Sequence, residues 1–287
     1  ARTYFERMNR IGVMQGRLLP PVDNSIQAFP RDRWADEFPR ARQVGFQCIE
    51  WVYDGFSCDF NPLVSAEGIQ EIKRLESGFG VAVRSVCADY FMDYPLVRAD
   101  QNELEARISH LEWLLQQCPL AGIECVVLPF VDRSAIKTKD EETSVLQSLL
   151  RVSSKAEKNG MEIHLETDSP PDRLAEFLHS LPEGIFWVNY DSGNSASLGY
   201  RPREEFEAYG ARVGSIHIKD RVRQGETVPL GTGDADLEEV FGCLRASKYT
   251  GDLILQVARG EPGDEVNWAR LNRDFVLRYL DGSSASR

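Results

Sequence analysis

The chain has 287 residues, 42% hydrophobic and 27% charged, an ordinary globular composition with enough apolar material for a core. A formal charge of −12 argues against nucleic acid or an anionic membrane as the main partner, while local basic residues leave room for an anionic small substrate. No stretch approaches the roughly 20 apolar residues of a transmembrane helix, and the N-terminus lacks an apolar signal core.

ARTYFERMNR is polar and reads as an extension over residues 1–9, ahead of a first strand in IGVMQGR (11–17). After a Pro-rich loop, RDRWADEFPRARQVG is expected to be helical up to a stop at Gly45. FQCIEWVYD is a second strand, SAEGIQEIKRLESG a helix and VAVRSVCADYF a third strand. NELEARISHLEWLLQQC repeats Leu104, Ile108, Leu111 and Leu115 at helical spacing, with Gly122 as its stop. IECVVLPF, the helix ETSVLQSLLRVSSKAEKNG and the strand MEIHLETD come next. DRLAEFLHSL then leads to IFWVNYDSGN, REEFEAYGARVG to SIHIKD, and DLEEVFGCLRASKYTG to DLILQVAR. VNWARLNRDFVLRYL closes the chain, with 281–287 expected as a flexible tail. The six cysteines show no CxxC or zinc-ribbon spacing, and Cys48, Cys87 and Cys125 lie in apolar strand-like runs. That usage fits a reduced, cytoplasmic protein.

These are eight strand–helix units with no composition break to mark a linker. Alternating βα units imply a parallel sheet, and eight of them a closed (β/α)8 TIM barrel, one α/β domain over 1–287. An open doubly wound sheet should carry a Gly-rich phosphate fingerprint after its first strand, and IGVMQGR lacks GxGxxG.

The phase of the late strands carries the chemistry. In MEIHLETD, Ile163 and Leu165 point one way and Glu162, His164 and Glu166 the other. In IFWVNYDSGN, Trp187, Asn189 and Asp191 share a face; in SIHIKD, His217 and Lys219 do; in DLILQVAR, Gln256 shares its face with Ile254. The four strands thus end in Glu166, Asp191, His217 and Gln256, in the phase that points into the C-terminal mouth, where barrel active sites sit. Carboxylates go inside only when paired or bound to a metal. Two carboxylates, an imidazole and an amide oxygen make a divalent-cation site, with manganese the first choice and magnesium, cobalt or zinc as alternatives.

HLETD, NYDSGN, SIHIKD, VPLGTGDAD and LILQVAR, in this order, resemble the xylose isomerase-like barrel family of sugar isomerases and epimerases. IGVMQGR and GFQCIEWVYD also resemble its sugar-phosphate members, so the likeness spans nearly the whole chain. The resemblance implies one divalent metal held by Glu, Asp, His and Glu from the last four strands, with the first and last carboxylates moving protons. Glu166, Asp191 and His217 match; Gln256 stands where many members have the second glutamate.

The chain is accordingly expected to be a metal-dependent isomerase or epimerase of a sugar, sugar phosphate or related polyol ketone, working through a metal-stabilised enediolate. Glu166 is the natural base. Gln256 cannot shuttle a proton, which tilts the expectation toward an isomerase using one face, unless Glu50 or Asp89 supplies the missing acid. Arg17, Lys219, Arg221, Arg223 and Arg259 cluster around expected strand ends, and some of them are expected to bind a substrate phosphate or carboxylate. His164, one layer below Glu166, and Asn194 are further substrate-binding candidates, although packing serves His164 equally well. GTGDAD (231–236) supplies a tight turn and a helix N-cap. The alternatives are a dehydratase of a keto-polyol and a barrel that binds sugar without turnover. A phosphodiesterase of the same family needs several zinc ions and many histidines, and this chain has four. Pairing through outer helices, as a dimer or tetramer, is expected of the architecture.

Overall fold

A computed structural model describes residues 9–280. The barrel strands are β1 (Ile11–Met14), β2 (Cys48–Val52), β3 (Ser85–Cys87), β4 (Cys125–Phe130), β5 (Glu162–Thr167), β6 (Phe186–Asp191), β7 (Val213–Ile218) and β10 (Leu253–Leu255). A two-stranded antiparallel ribbon, β8 (Asp220–Arg221) with β9 (Thr227–Val228), lies between the last two. The order β1-β10-β7-β6-β5-β4-β3-β2 closes on itself, and every ladder in it is parallel. Closure leaves no barrel strand with an unpaired edge.

The helices are α1 (Glu37–Val44), α2 (Ala66–Phe79), α3 (Tyr90–Asp93), α4 (Gln101–Gln117), α5 (Lys139–Asn159), α6 (Pro171–His179), α7 (Ser192–Leu198), α8 (Pro202–Tyr209), α9 (Leu237–Ala246) and α10 (Glu265–Leu280). Each long one buries a stripe at helical spacing: Ile69, Ile72 and Leu75 in α2, and Val145, Leu149, Val152 and Ala156 in α5. Both α4 and α5 begin with a reciprocal capping box, Asp100 with Glu103 and Thr138 with Glu141. Asp100→Ala removes the acceptor for the Glu103 amide, 2.9 Å away. It should cost about 1 kcal/mol of stability, readable as a shifted midpoint in urea unfolding.

Several stretches differ from what the sequence predicts: IGVMQGR is strand only over Ile11–Met14, and DLILQVAR only over Leu253–Leu255, so that Gln256 lies just past the strand. VAVRSVCADYF is strand only over Ser85–Cys87, and its end turns into α3. SGN in IFWVNYDSGN does not continue β6 but opens α7. The helix expected from Arg31 is α1, beginning at Glu37 behind the 3-10 turn Trp34–Asp36, and it stops at Gly45 as expected. Asn9, placed in the extension, ties its amide to the carbonyls of Tyr249 and Gly251 at 3.2 and 3.0 Å; the rest of that extension and the 281–287 tail lie outside the described residues. No helix among the described residues is long and apolar enough to cross a membrane.

The barrel interior is polar in its middle layer. Glu50, Ser85, His164, Asn189, Ser215 and His217 are all buried. Buried polar groups need partners, and these form two clusters. One is Ser85–Glu50–His217, with contacts of 2.6 and 2.5 Å. The other centres on the Ser215 hydroxyl, 2.7 Å from His164 Nδ1 and 2.8 Å from Asn189 Nδ2.

Candidate metal centre

Four side chains at the mouth each have one polar atom held from behind, and in three of them, Glu166, Asp191 and His217, the other faces a common point. Asp191 ends β6 and caps α7; its Oδ1 accepts from the amides of Gly193 and Asn194 at 2.9 and 2.8 Å, leaving Oδ2. The Asx turn that NYDSGN suggests and the site role are therefore compatible, one for each oxygen. Glu166 Oε1 accepts from Asn194 Nδ2 at 2.6 Å, leaving Oε2. His217 Nε2 meets Glu50 Oε1 at 2.5 Å, leaving Nδ1. Gln256 Nε2 donates to Gln27 Oε1 at 3.1 Å, and its Oε1 accepts from Lys219 Nζ at 3.1 Å.

A shift of register between Val188 and Asn189 brings Asp191 directly opposite His217 on the neighbouring strand. His217 Nδ1 then lies 3.8 Å from both Glu166 Oε2 and Asp191 Oδ2. This nitrogen is buried and has no hydrogen-bond partner among the described residues. Glu166, Asp191 and His217 each offer one ligand atom, all within 4.8 Å of one another, and can hold one metal ion. Glu50 behind His217 completes a carboxylate–histidine pair of the kind that fixes the tautomer and orientation of a ligating imidazole.

The electrostatics arise from burial. Burial pushes the Glu166 carboxyl above the usual carboxylate range; His217 and Lys219 pull it back, and Asp191 adds to the rise. Burial alone would lower the His217 pKa. The charge and hydrogen bond of Glu50, with the charges of Glu166 and Asp191, outweigh burial and raise it.

A family model described as a xylose isomerase-like TIM barrel matches residues 38–278. The chain belongs to this family. It is similar to the L-ribulose-5-phosphate 3-epimerase UlaE of Salmonella paratyphi A, 23% identical over 249 residues that cover 83% of this chain and 87% of that protein. A solved L-ribulose 3-epimerase superposes with a TM-score of 0.74 at 17% identity, covering 96% of this chain and 95% of the other. The IOLI protein, solved with a bound zinc atom, gives 0.75 at 15% identity over 94% and 98% of the two chains.

Within this xylose isomerase-like barrel, the other expected site residues fall in four places. Lys219 and Asn194 belong to the mouth cluster: Lys219 Nζ lies 3.3 Å from Asn194 Oδ1, which also accepts from Arg221 Nη1 at 2.8 Å. Glu50 and His164 lie deeper. Glu50 is fully buried, with one oxygen on His217 and the other on Ser85, so it cannot present an acid to a substrate. His164 has its two ring nitrogens on Ser215 and Glu162, at 2.7 and 2.9 Å, and packs the interior rather than reaching the mouth.

Arg17 and Arg259 serve the β1–α1 loop. Arg17 donates to the carbonyls of Val257 and Ile26, and Arg259 to those of Ile26, Leu19 and Gly16. Burial, with the like charge of Arg259, lowers the Arg17 pKa to about 9. Both arginines thus tie loop carbonyls to β10 and its following turn instead of offering those donors to a substrate. Arg223 is exposed, its guanidinium against Gly199 beyond the end of α7. Asp220 is buried and accepts amides from Gly231, Gly233 and Ala235, which fixes the GTGDAD turn, and Asp236 caps α9 as expected.

Sequence reasoning missed Gln27. Its Nε2 donates to Asp89 Oδ2 at 2.7 Å, and its Oε1 accepts from Arg17 at 3.3 Å and from Gln256. Arg17 can only donate, so the direction of both amides is set, and the Gln256 oxygen is the atom turned toward the cluster.

Proposed function

We propose that this chain is a divalent-metal-dependent isomerase or epimerase of a sugar, sugar phosphate or related polyol ketone, with Glu166 as the base that takes the proton next to the carbonyl. The observation that carries this reading is the unpartnered Nδ1 of His217, facing Glu166 Oε2 and Asp191 Oδ2. One imidazole with oxygen donors suits manganese, magnesium, cobalt or zinc, and Gln256 Oε1 is a fourth donor. A divalent ion held there would polarise a carbonyl oxygen and offset the charge that develops as the adjacent C–H bond breaks.

Glu166 accepts that proton on Oε2, while Asn194 holds Oε1 and fixes the carboxylate plane. Gln256 has no proton to give, and Glu50 is sealed beneath His217. Asp89 is then the carboxylate left to serve a second face, held by Gln27 and Cys87. The activities in the relatives' names favour epimerisation, which needs such a second group; aldose–ketose isomerisation needs Glu166 alone.

Metal analysis tests the centre, and incubation with candidate ketoses in D2O tests the chemistry. One bound ion per chain is expected, lost in Asp191→Ala and His217→Ala, with deuterium entering the product next to the carbonyl. A product lighter by one water would mean dehydration instead. No bound ion after soaking with millimolar manganese, magnesium, cobalt or zinc would overturn the reading.

A further inference from the structure

One cation is already in the cluster. Lys219 Nζ lies 3.1 Å from Gln256 Oε1, 3.5 Å from Asp191 Oδ2 and 3.3 Å from Asn194 Oδ1. Two of these oxygens are the inward-facing atoms a metal would take, so the ammonium sits along the Asp191–Gln256 edge of the donor set.

The placement is fixed from the backbone outward. The Ser192 hydroxyl donates to the Lys219 carbonyl at 2.7 Å and accepts from the Lys219 amide at 3.0 Å. The stem lies on Gly193, where an added Cβ would come within 2.7 Å of Lys219 Cγ. A side chain at 193 would occupy the channel the lysine takes; glycine leaves it open. With backbone and stem held, the freedom left to the head is rotation about its terminal bonds.

Charge explains why the head lies there. The inward atoms include two carboxylate oxygens, with a neutral amide at 256 where many members of the family have a third carboxylate. An ammonium among them satisfies donors-only chemistry with three oxygens and offsets part of the buried negative charge. A divalent ion bonded to Asp191 Oδ2 and Gln256 Oε1 at about 2.0–2.2 Å would lie against that ammonium. Two cations cannot share the edge at that spacing.

We propose that Lys219 is a tethered cation that closes the metal site and competes with the divalent ion, turning off Asp191 and Gln256 toward Asn194 when the ion enters. The proposal rests on the metal-centre reading above. It makes Lys219 a residue that sets metal affinity rather than one that holds metal.

The test is calorimetric titration of the metal-stripped full chain with Mn2+, comparing wild type with Lys219→Met, which keeps the stem and removes the charge. The variant should bind Mn2+ tenfold or more tightly. In chelator it should melt earlier than wild type, because its carboxylates have lost their cation, and saturating Mn2+ should abolish that gap. Arg221→Met, which removes a neighbouring charge on Asn194 but none on Asp191 or Gln256, should shift affinity far less. Wild type and Lys219→Met binding equally well, both folded by circular dichroism, would overturn the proposal and leave the reaction reading standing. Binding by the variant alone would support it in its strongest form. Binding by neither would overturn both.

Discussion

Glu166→Gln should lower kcat by about 10²–10⁴-fold, the range a positioned general base contributes, with little change in fold. The substitution keeps the shape of the side chain, and the amide oxygen can still accept from Asn194 Nδ2, which now lies 2.6 Å from Oε1. What is lost is the basic lone pair on Oε2, beside His217 and 3.8 Å from its Nδ1. Because Oε2 is also a candidate ligand atom, metal affinity should fall too, and turnover must be compared at metal concentrations that saturate both forms. Under those conditions a base shows itself by loss of kcat and of deuterium uptake from D2O, with KM nearly unchanged. A saturated Glu166→Gln that still exchanged the substrate proton at the wild-type rate would remove Glu166 from the role.

The barrel and the convergence of Glu166, Asp191 and His217 were legible because both rest on periodicity. Parallel strands buried on both faces still alternate inward and outward, and three consecutive strands place a metal-type ligand at the same end of the inward phase. Depth was not legible in the same way. The inward phase of β2 is clear, but alternation does not say that Glu50 is sealed between His217 and Ser85 rather than at the rim; strand stagger sets that. Helix α7 was hidden by its composition. Ser192–Ser197 are all buried, yet they are small residues with no large apolar stripe to show a helical repeat. Gln27 gave no signal because it lies in an irregular loop, and its partners are other polar side chains. Arg17 and Arg259 misled for a related reason: their partners are mostly backbone carbonyls, which every residue carries and no sequence marks. His164 could be read both ways, and what decides it is its pair of partners, Ser215 on another strand and Glu162 on its own.

Glu50 is where the buried design is most exposed to a test. Its carboxylate and the His217 ring are both fully buried and 2.5 Å apart. Taking the pair out of water is costly, and removing one partner leaves the other uncompensated at a cost of about 3–5 kcal/mol. Glu50→Ala should therefore lower Tm by roughly 6–20 °C, at about 2–4 °C per kcal/mol for a domain of this size. The same change frees His217 Nε2 and unlocks the ring that aims Nδ1 at Glu166 and Asp191, and loss of such an outer partner typically costs about 10–100-fold in metal affinity. Glu50→Gln separates the two effects. An amide oxygen can still accept from His217 Nε2, and its nitrogen can donate to Ser85, whose hydroxyl now lies 2.6 Å from Glu50 Oε2. The Gln variant should thus keep most of the thermal stability while still binding metal more weakly, because the imidazole loses the charge that raises its basicity. Thermal unfolding in chelator reads the first effect and Mn2+ titration the second. If Glu50→Ala bound Mn2+ as tightly as wild type, Glu50 would be only a core residue and the aim of His217 would have to come from elsewhere.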